Sequence, residues 1–222
     1  MASTRADDEQ AGRQAGGTAG EHYFTARPAT ADERRDVEVE LAGRTVTVQT
    51  ARGVFSAERL DPGTSVLLPL VPDEPDATGD VLDLGCGWGP VALTLALRQP
   101  RRRVWAVDVN ERALDLVRRN AQRLGVQVLA RLPDEVPGDV VFERVWSNPP
   151  IRVGKEALHE LLLHWLPRLA PGGEAHLVVQ KNLGADSLHR WLDAQLPAAL
   201  PGAGTTRTTS SKGFRVLTVR RG

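Results

Sequence analysis

The 222-residue chain lacks the features that mark several functional classes. It carries a single cysteine, Cys86, so no internal disulfide can form, which fits a reducing compartment. Its 28 Lys and Arg residues are matched by 28 Asp and Glu, so the formal net charge is zero. No whole-molecule attraction to nucleic acid follows from that balance, and a polyanionic partner would have to meet a local basic patch. No apolar run reaches the length needed to cross a membrane. The opening "MASTRADDEQAGRQAGGTAG" has no apolar centre of the kind a secretory signal needs. A cytoplasmic protein with no membrane partner is therefore expected. No His or Cys cluster has metal-ligand spacing, so no metal is expected either, and no internal repeat is visible.

What is present can build a core. Hydrophobic residues make up 41% of the chain and charged ones 25%, the balance of a globular protein, and the length fits one domain with a small extension. Residues 1–20 are rich in Gly, Ala and charge and read as a disordered tail. Residues 21–79 read as an N-terminal extension. Within it, "DVEVELAGRTVTVQT" alternates apolar and polar positions on either side of Ala-Gly, the pattern of a β-hairpin. Asp61-Pro62-Gly63 then marks a turn, with a helix expected to start near Thr64.

From residue 80 to 222 the pattern becomes alternating strand and helix. "DVLDLG" is a short, nearly continuous apolar run, as in a strand buried on both faces. "GPVALTLALRQP" reads as a helix with Pro90 in its first turn, where a missing N–H costs little. "RRVWAVDV" is a second strand. Asn110 is placed to cap the helix "ERALDLVRRNAQRL", whose Ala113, Leu114, Val117, Ala121 and Leu124 form one apolar stripe, and Gly125 to end it. "VQVLA" and "FERVWS" read as strands, and "EALHELLLHWLPRL" as a helix that Pro167 kinks or ends. After a turn at Pro171-Gly172-Gly173 come the strand "EAHLVVQ", the shorter helix "DSLHRWLDAQL" and a terminal antiparallel pair turning near Ser211 to Gly213. This order implies an α/β fold: a doubly wound, mostly parallel sheet with helices on both faces.

Two loops carry chemistry. "VLDLGCGWGP" alternates Gly85, Gly87 and Gly89 between a buried strand and a helix, where glycines let a ligand approach the backbone. In a doubly wound sheet that loop lies at the carboxyl edge, near the point where strand order reverses. The second strand ends at Asp108, where an acid can hold ribose hydroxyls. Cys86 reads as a small packing residue beside the loop, and Trp88 either walls the pocket or packs. The second loop is "VWSNPPIRVGK". Pro149 and Pro150 fix φ and supply no N–H, so they end the strand. The residues alone leave open whether that stop also aims Asn148 and a backbone carbonyl at a substrate.

In this order, "VLDLGCGWGP", "AVDVN" and "SNPP" resemble the class I S-adenosylmethionine-dependent methyltransferases. The resemblance implies a Rossmann-like sheet of seven strands with an antiparallel last strand, and S-adenosyl-L-methionine as cofactor. It places Asp83 to Gly89, Cys86 among them, around the methionine part, with Asp108 on the ribose and Val109 beside it. Asp134 is the acid nearest the place where many members contact adenine. The Asn-Pro-Pro motif implies methylation of a poorly nucleophilic nitrogen. The Asn148 side-chain oxygen and the Pro149 carbonyl would accept both N–H bonds of the amine, and the prolines would hold them in place.

A narrower resemblance covers Glu21 to Arg221. "EHYFTARP", "GVFSAERLDPGT", "SNPPIRVGK", "VVQKNLGADSL" and "SKGFRVL" are together similar to the small-domain methyltransferases related to bacterial 16S ribosomal RNA guanine-N2 methyltransferases. That implies RNA, naked or in the 30S particle, as partner and guanine N2 as acceptor; a monomer is the expected working form. By carry-over, Phe55, Ser56 and Thr64 line the cofactor site. Ile151 stands where base-methylating relatives often carry an aromatic; Phe214 either substitutes for that ring or packs in its strand. Arg152, Lys155, Lys181, Lys212 and Arg215 are candidates for phosphate contact, whereas "RRR" at 101 to 103 is expected to face water. The alternatives are methylation of a protein glutamine amide or adenine N6, or an RNA assembly factor without catalysis.

Overall fold

The N-terminal hairpin forms as its alternation predicts. In the computed structural model, which describes residues 33–222, β1 (Arg34–Leu41) pairs with β2 (Arg44–Ala51), with Leu41 opposite Arg44. Ala42 and Gly43 make the turn at φ 52° and 78°, the doubly left-handed pattern that suits the twist of paired strands. Val39, Leu41 and Val48 are buried against the rest of the molecule. The expected tail and "EHYFTARP" lie outside the described residues.

The following helix, α1 (Pro62–Leu67), starts earlier than expected. Its N-cap is Asp61, whose carboxylate accepts from the Thr64 backbone N–H, so the D-P-G turn is itself the helix start.

The core then runs β3 (Asp80–Leu84), α2 (Pro90–Arg98), β4 (Arg103–Val107), α3 (Glu111–Leu124), β5 (Leu129–Arg131), β6 (Phe142–Ser147), α4 (Lys155–Trp165), β7 (Leu169–Gln180), α5 (Ala185–Ala199), β8 (Gly204–Ser211) and β9 (Phe214–Arg220). The seven strands β3–β9 lie in the order β5-β4-β3-β6-β7-β9-β8. β3 to β7 are mutually parallel, and β9 is antiparallel to both β7 and β8. This is the expected doubly wound sheet with an antiparallel last strand. One face packs against the hairpin, α1, α2 and α3; the other packs against α4 and α5. All five residues of β3 are buried, as a strand covered on both faces requires.

The hairpin is docked by a residue that its own pattern does not reveal. Asn120, fully buried on α3, accepts from the Gln49 N–H at 2.6 Å and donates to the Gln49 carbonyl at 3.0 Å. Its carboxamide thus acts as one more unit of strand edge. The second Nδ2 bond, to the Trp88 carbonyl, ties the hairpin to the loop after β3.

Several boundaries move. β5 comprises only Leu129–Arg131, shifted from the expected 126–130. α5 runs to Ala199 with Pro197 inside it. β7 begins at Leu169, and the 171–173 turn is absorbed as an irregularity opposite Phe142 and Arg144. "RRR" does not simply face water. The Arg102 side chain is buried, donates to the Thr78 carbonyl and pairs with Glu74 and Glu143. Among the described residues no helix is long and apolar enough to cross a membrane.

Strand order reverses at β3, which has β4 on one side and β6 on the other. The carboxyl ends of β3 and β6 are therefore where a crevice opens.

Candidate active site

The loop after β3 is held from below. The Gly85 and Cys86 N–H groups donate to the Val107 carbonyl at 2.8 and 3.1 Å. Asp108, at the end of β4, accepts from the Gly87 N–H through Oδ2 and from the Asn110 N–H through Oδ1, both at 2.9 Å. Two of the three glycines are needed for different reasons. Gly85 has φ 73° and open space where a side chain would stand, so a ligand can reach the backbone. Gly89 has φ 93° as the N-cap of α2, and a Cβ there would lie 3.0 Å from Val117 Cγ2 on α3. Its role is close packing of loop on helix.

Two acids lie under this loop. Asp83 is buried and accepts from the Ala92 N–H at 2.9 Å. Burial pushes its carboxyl up to about 7, the Ala92 bond opposes the shift, and the charge of Asp108 adds to it. Burial also raises the Asp108 carboxyl, against the backbone N–H groups that stabilise its charge. Among the described residues neither acid has a Lys, Arg or His ion-pair partner. Burial raises the Cys86 thiol well above its usual range, which makes it a packing group and not a nucleophile.

One cleft joins the two loops. Gly85, Cys86 and Gly87 line it from the first loop, Phe55, Ser56 and Thr64 from the segment before β3, and Asn148 from the end of β6. Asp83 and Trp88 reach it from below; Trp88, open in the sequence, both packs and walls. Ser56 holds φ 53°, an uncommon conformation for a residue with a side chain. Asp108, Val109 and Gly89 do not line this cleft: Asp108 braces the loop, Val109 is exposed, and Gly89 faces α3. Asp134 is exposed in the 3-10 turn after β5.

The second loop is fixed by different means. The Ser147 hydroxyl donates to the Leu84 carbonyl at 2.8 Å, tying the end of β6 to the end of β3. Asn148 Nδ2 donates to Asp61 Oδ1 at 2.7 Å and to Thr64 Oγ1 at 3.1 Å. Both of its amide protons are therefore taken, and Oδ1 is the end left for another donor. Pro150, at φ −74° and ψ 75°, is the centre of an inverse γ-turn closed by the Ile151 N–H on the Pro149 carbonyl at 2.8 Å. That carbonyl keeps one lone pair for a further donor. Ile151 packs against the α4 and α5 side of the core, away from the cleft wall. Phe214 is half-buried against α1: its ring and the Asp61 carboxylate each come to 3.0 Å from where a Cβ on Gly63 would stand.

Asp61 is the residue that the sequence showed only as part of a turn. The D-P-G spelling signals a helix cap, but nothing local points from residue 61 to residue 148.

The basic rim is smaller than expected. Arg207 and Arg215 both pair with Asp186, and Arg220 pairs with Glu174. Arg152, Lys155, Lys181 and Lys212 are exposed, and none forms an ion pair among the described residues. Lys181 N–H donates to the Gly213 carbonyl at 2.9 Å, which brings it beside Lys212 at the tip of the β8–β9 turn. Of the 28 Lys and Arg residues in the chain only three are lysine, and all three stand on this edge.

The methyltransferase small-domain family matches residues 45–217. The chain is similar to YbxB of Bacillus subtilis, 33% identical over 75% of this chain and 85% of that one. It is also similar to ribosomal RNA small subunit methyltransferase C of Mannheimia succiniciproducens, 38% identical over 61% of this chain and 42% of that one. It thus spans less than half the length of that relative. Among solved structures, a T. thermophilus 16S rRNA N2 methyltransferase in complex with AdoMet and guanosine shares the fold: TM-score 0.70, 22% identity, 88% of this chain and 52% of that one. The cofactor of such a domain, S-adenosyl-L-methionine, fits what the cleft offers. A glycine loop with open space above it and Asp83, which lines the cleft with no basic partner among the described residues, suit a ligand that carries an ammonium and a sulfonium. The chain belongs to the methyltransferase small-domain family, with S-adenosyl-L-methionine as its cofactor.

Proposed function

We propose that the protein methylates the exocyclic N2 amine of a guanine in small-subunit ribosomal RNA. The observation that carries this reading is one cleft lined both by the glycine loop and by Asn148, whose Nδ2 is engaged by Asp61 and Thr64 and whose carboxamide oxygen has no donor among the described residues. When bound, the cofactor supplies an electrophilic methyl group on sulfonium. Gly85, Cys86, Gly87, Phe55, Ser56 and Thr64 hold its methionine end, Asp83 lies below it, and Asp108 with Val109 flanks the ribose. The substrate amine presents the difficulty that its lone pair is delocalised into the base. Asn148 Oδ1 and the remaining lone pair of the Pro149 carbonyl accept its two N–H bonds and favour a pyramidal nitrogen. Both acceptors are immobile before substrate arrives, so little reorganisation is needed at the moment of reaction. The proton leaves to solvent once the methylated nitrogen has become acidic.

Phe214 supplies the aromatic surface for the base, since it is half-buried on the sheet face that carries α1, beside Gly63, whereas Ile151 packs on the α4 and α5 side. Lys155, Lys181, Lys212 and Arg152 contact phosphates around the cleft. The ribosomal target is taken from relatives of which this chain matches 42% and 52% of the length, and direct assay tests it. Label from tritiated S-adenosylmethionine should appear in 16S ribosomal RNA of undermethylated 30S subunits or in the naked RNA, and nucleoside mapping should find it in N2-methylguanosine. Label in N6-methyladenosine or in a protein glutamine would replace the substrate, and no transfer to any acceptor would remove catalysis altogether.

A further inference from the structure

The Asn148 carboxamide has two ends of nearly equal shape and opposite hydrogen-bonding sense. Amine methylation needs the oxygen to face the substrate. A half-turn of the amide would present NH2 to an amine, donor against donor. Something in the protein must therefore choose the orientation.

Two groups touch the inner end of this amide. Thr64 Oγ1 lies 3.1 Å from Nδ2, but a hydroxyl can donate or accept and so tolerates either orientation. Asp61 Oδ1 lies 2.7 Å from Nδ2, and a carboxylate only accepts. Flipping the amide would press its oxygen against that carboxylate. Asp61 is itself well placed to resist: the same Oδ1 accepts from the Thr64 N–H at 2.9 Å as the cap of α1, and Pro62 follows in the first turn. α1 in turn lies against β7 and β9, with Val66 and Leu67 buried.

We infer that Asp61 is a positioning residue that sets the polarity of the Asn148 carboxamide, and so makes Asn, not Asp, the residue that position 148 requires. The inference rests on the amine-methylating reading above. An aspartate at 148 would set two carboxylates against each other at the 2.7 Å contact, whereas a hydroxyl at 61, which can donate as well as accept, would tolerate such a partner. The pair is thus a matched donor and acceptor, and the carboxylate at 61 fixes its sense.

Asp61→Ser separates this role from a structural one, because Ser caps helices as well as Asp does, while its hydroxyl donates or accepts and so imposes no sense on the Asn148 amide. With undermethylated 30S subunits, Asp61→Ser should lower kcat on the order of 10–100-fold, while the Kd for S-adenosylhomocysteine moves by no more than about threefold. Asn148→Asp should fall at least as far. The double variant Asp61→Ser/Asn148→Asp, in which a hydroxyl can donate to the new carboxylate, should recover on the order of tenfold over Asn148→Asp alone. Turnover of Asp61→Ser within about twofold of the parent overturns the inference, as does a double variant no better than Asn148→Asp. A Kd that worsens as much as kcat overturns it too, since Asp61 would then be a cofactor ligand. If the parent methylates no acceptor, the functional reading falls, and the Asn148 side-chain NH2 signals still decide. Slower proton exchange in the parent than in Asp61→Ser supports the lock, and equal exchange overturns it.

Discussion

The loops after β3 and after β6 sit side by side, with Leu84 opposite Ser147 in the sheet, and they are built on opposite principles. The first takes glycines with φ of 73°, 55° and 93° and is braced from beneath by Asp108. It yields space: a ligand can come up to the backbone because no side chain stands in the way. The second takes two prolines, a γ-turn and a carboxamide with both protons engaged. It yields rigidity: the Asn148 carboxamide and the Pro149 carbonyl are each held by hydrogen bonds within the protein. A site that holds one molecule and orients another needs both kinds of loop on neighbouring strands.

Substitutions should separate the two loops. The largest effect is expected at Asn148. Asn148→Ala should lower single-turnover methyl transfer on the order of 10²–10³-fold with little change in cofactor affinity by calorimetry. Equal losses in both would argue against an acceptor role. Next is Gly89→Ala, which adds a Cβ at φ 93° and 3.0 Å from Val117 Cγ2. It should cost about 1–3 kcal/mol in urea unfolding. Pro150→Ala, in the other loop, should cost less than about 1 kcal/mol and show itself in kcat instead.

Asp83 gives the first loop a pH signature that the second lacks. Its carboxyl is raised to about 7 in the free protein, chiefly by burial. A raised acid stabilises the fold fully below its unfolded value, and that contribution is lost as pH rises through about 7. A cationic ligand favours the ionised form, so binding should release a proton. Affinity for S-adenosylmethionine should therefore rise between pH 5.5 and 8, by up to about tenfold per unit below the titration point. Calorimetry in buffers of different ionisation heat would measure the released proton, and Asp83→Asn should flatten the profile. The smallest effect belongs to the rim. Replacing Lys155, Lys181 and Lys212 together with Ala should lower the slope of log K against log salt for RNA by about 2, with cofactor binding untouched.

What could be read from the residues was what they settle locally. The strand "FERVWS" is observed at the expected positions because its aromatic and β-branched residues favour a strand and the prolines just beyond it mark its end, and Asn110 and Gly125 bound α3 as caps do in any context. β5 was misplaced because a three-residue strand exists only through its pairing with β4. Arg102 was misjudged because Glu74 and Glu143, its partners, lie 28 and 41 residues away. Arg215 belongs to the same class: it reads as a phosphate ligand from sequence, but Asp186, 29 residues away, pairs with it. Ile151 and Phe214 show the same limit: which side of the sheet each packs on depends on where α4, α5 and α1 come to rest.

The chain's own spelling was enough for the order of strands and helices, the glycine loop at a strand end and the proline stop after Asn148, because backbone preference and apolar period act over a few residues. Folding in three dimensions decided which of these touch. Asn148 meets Asp61 across 87 residues of sequence, through a helix cap that locally serves only α1. Hydrogen-bond polarity is a property of the pair, and no single position in the sequence can carry it.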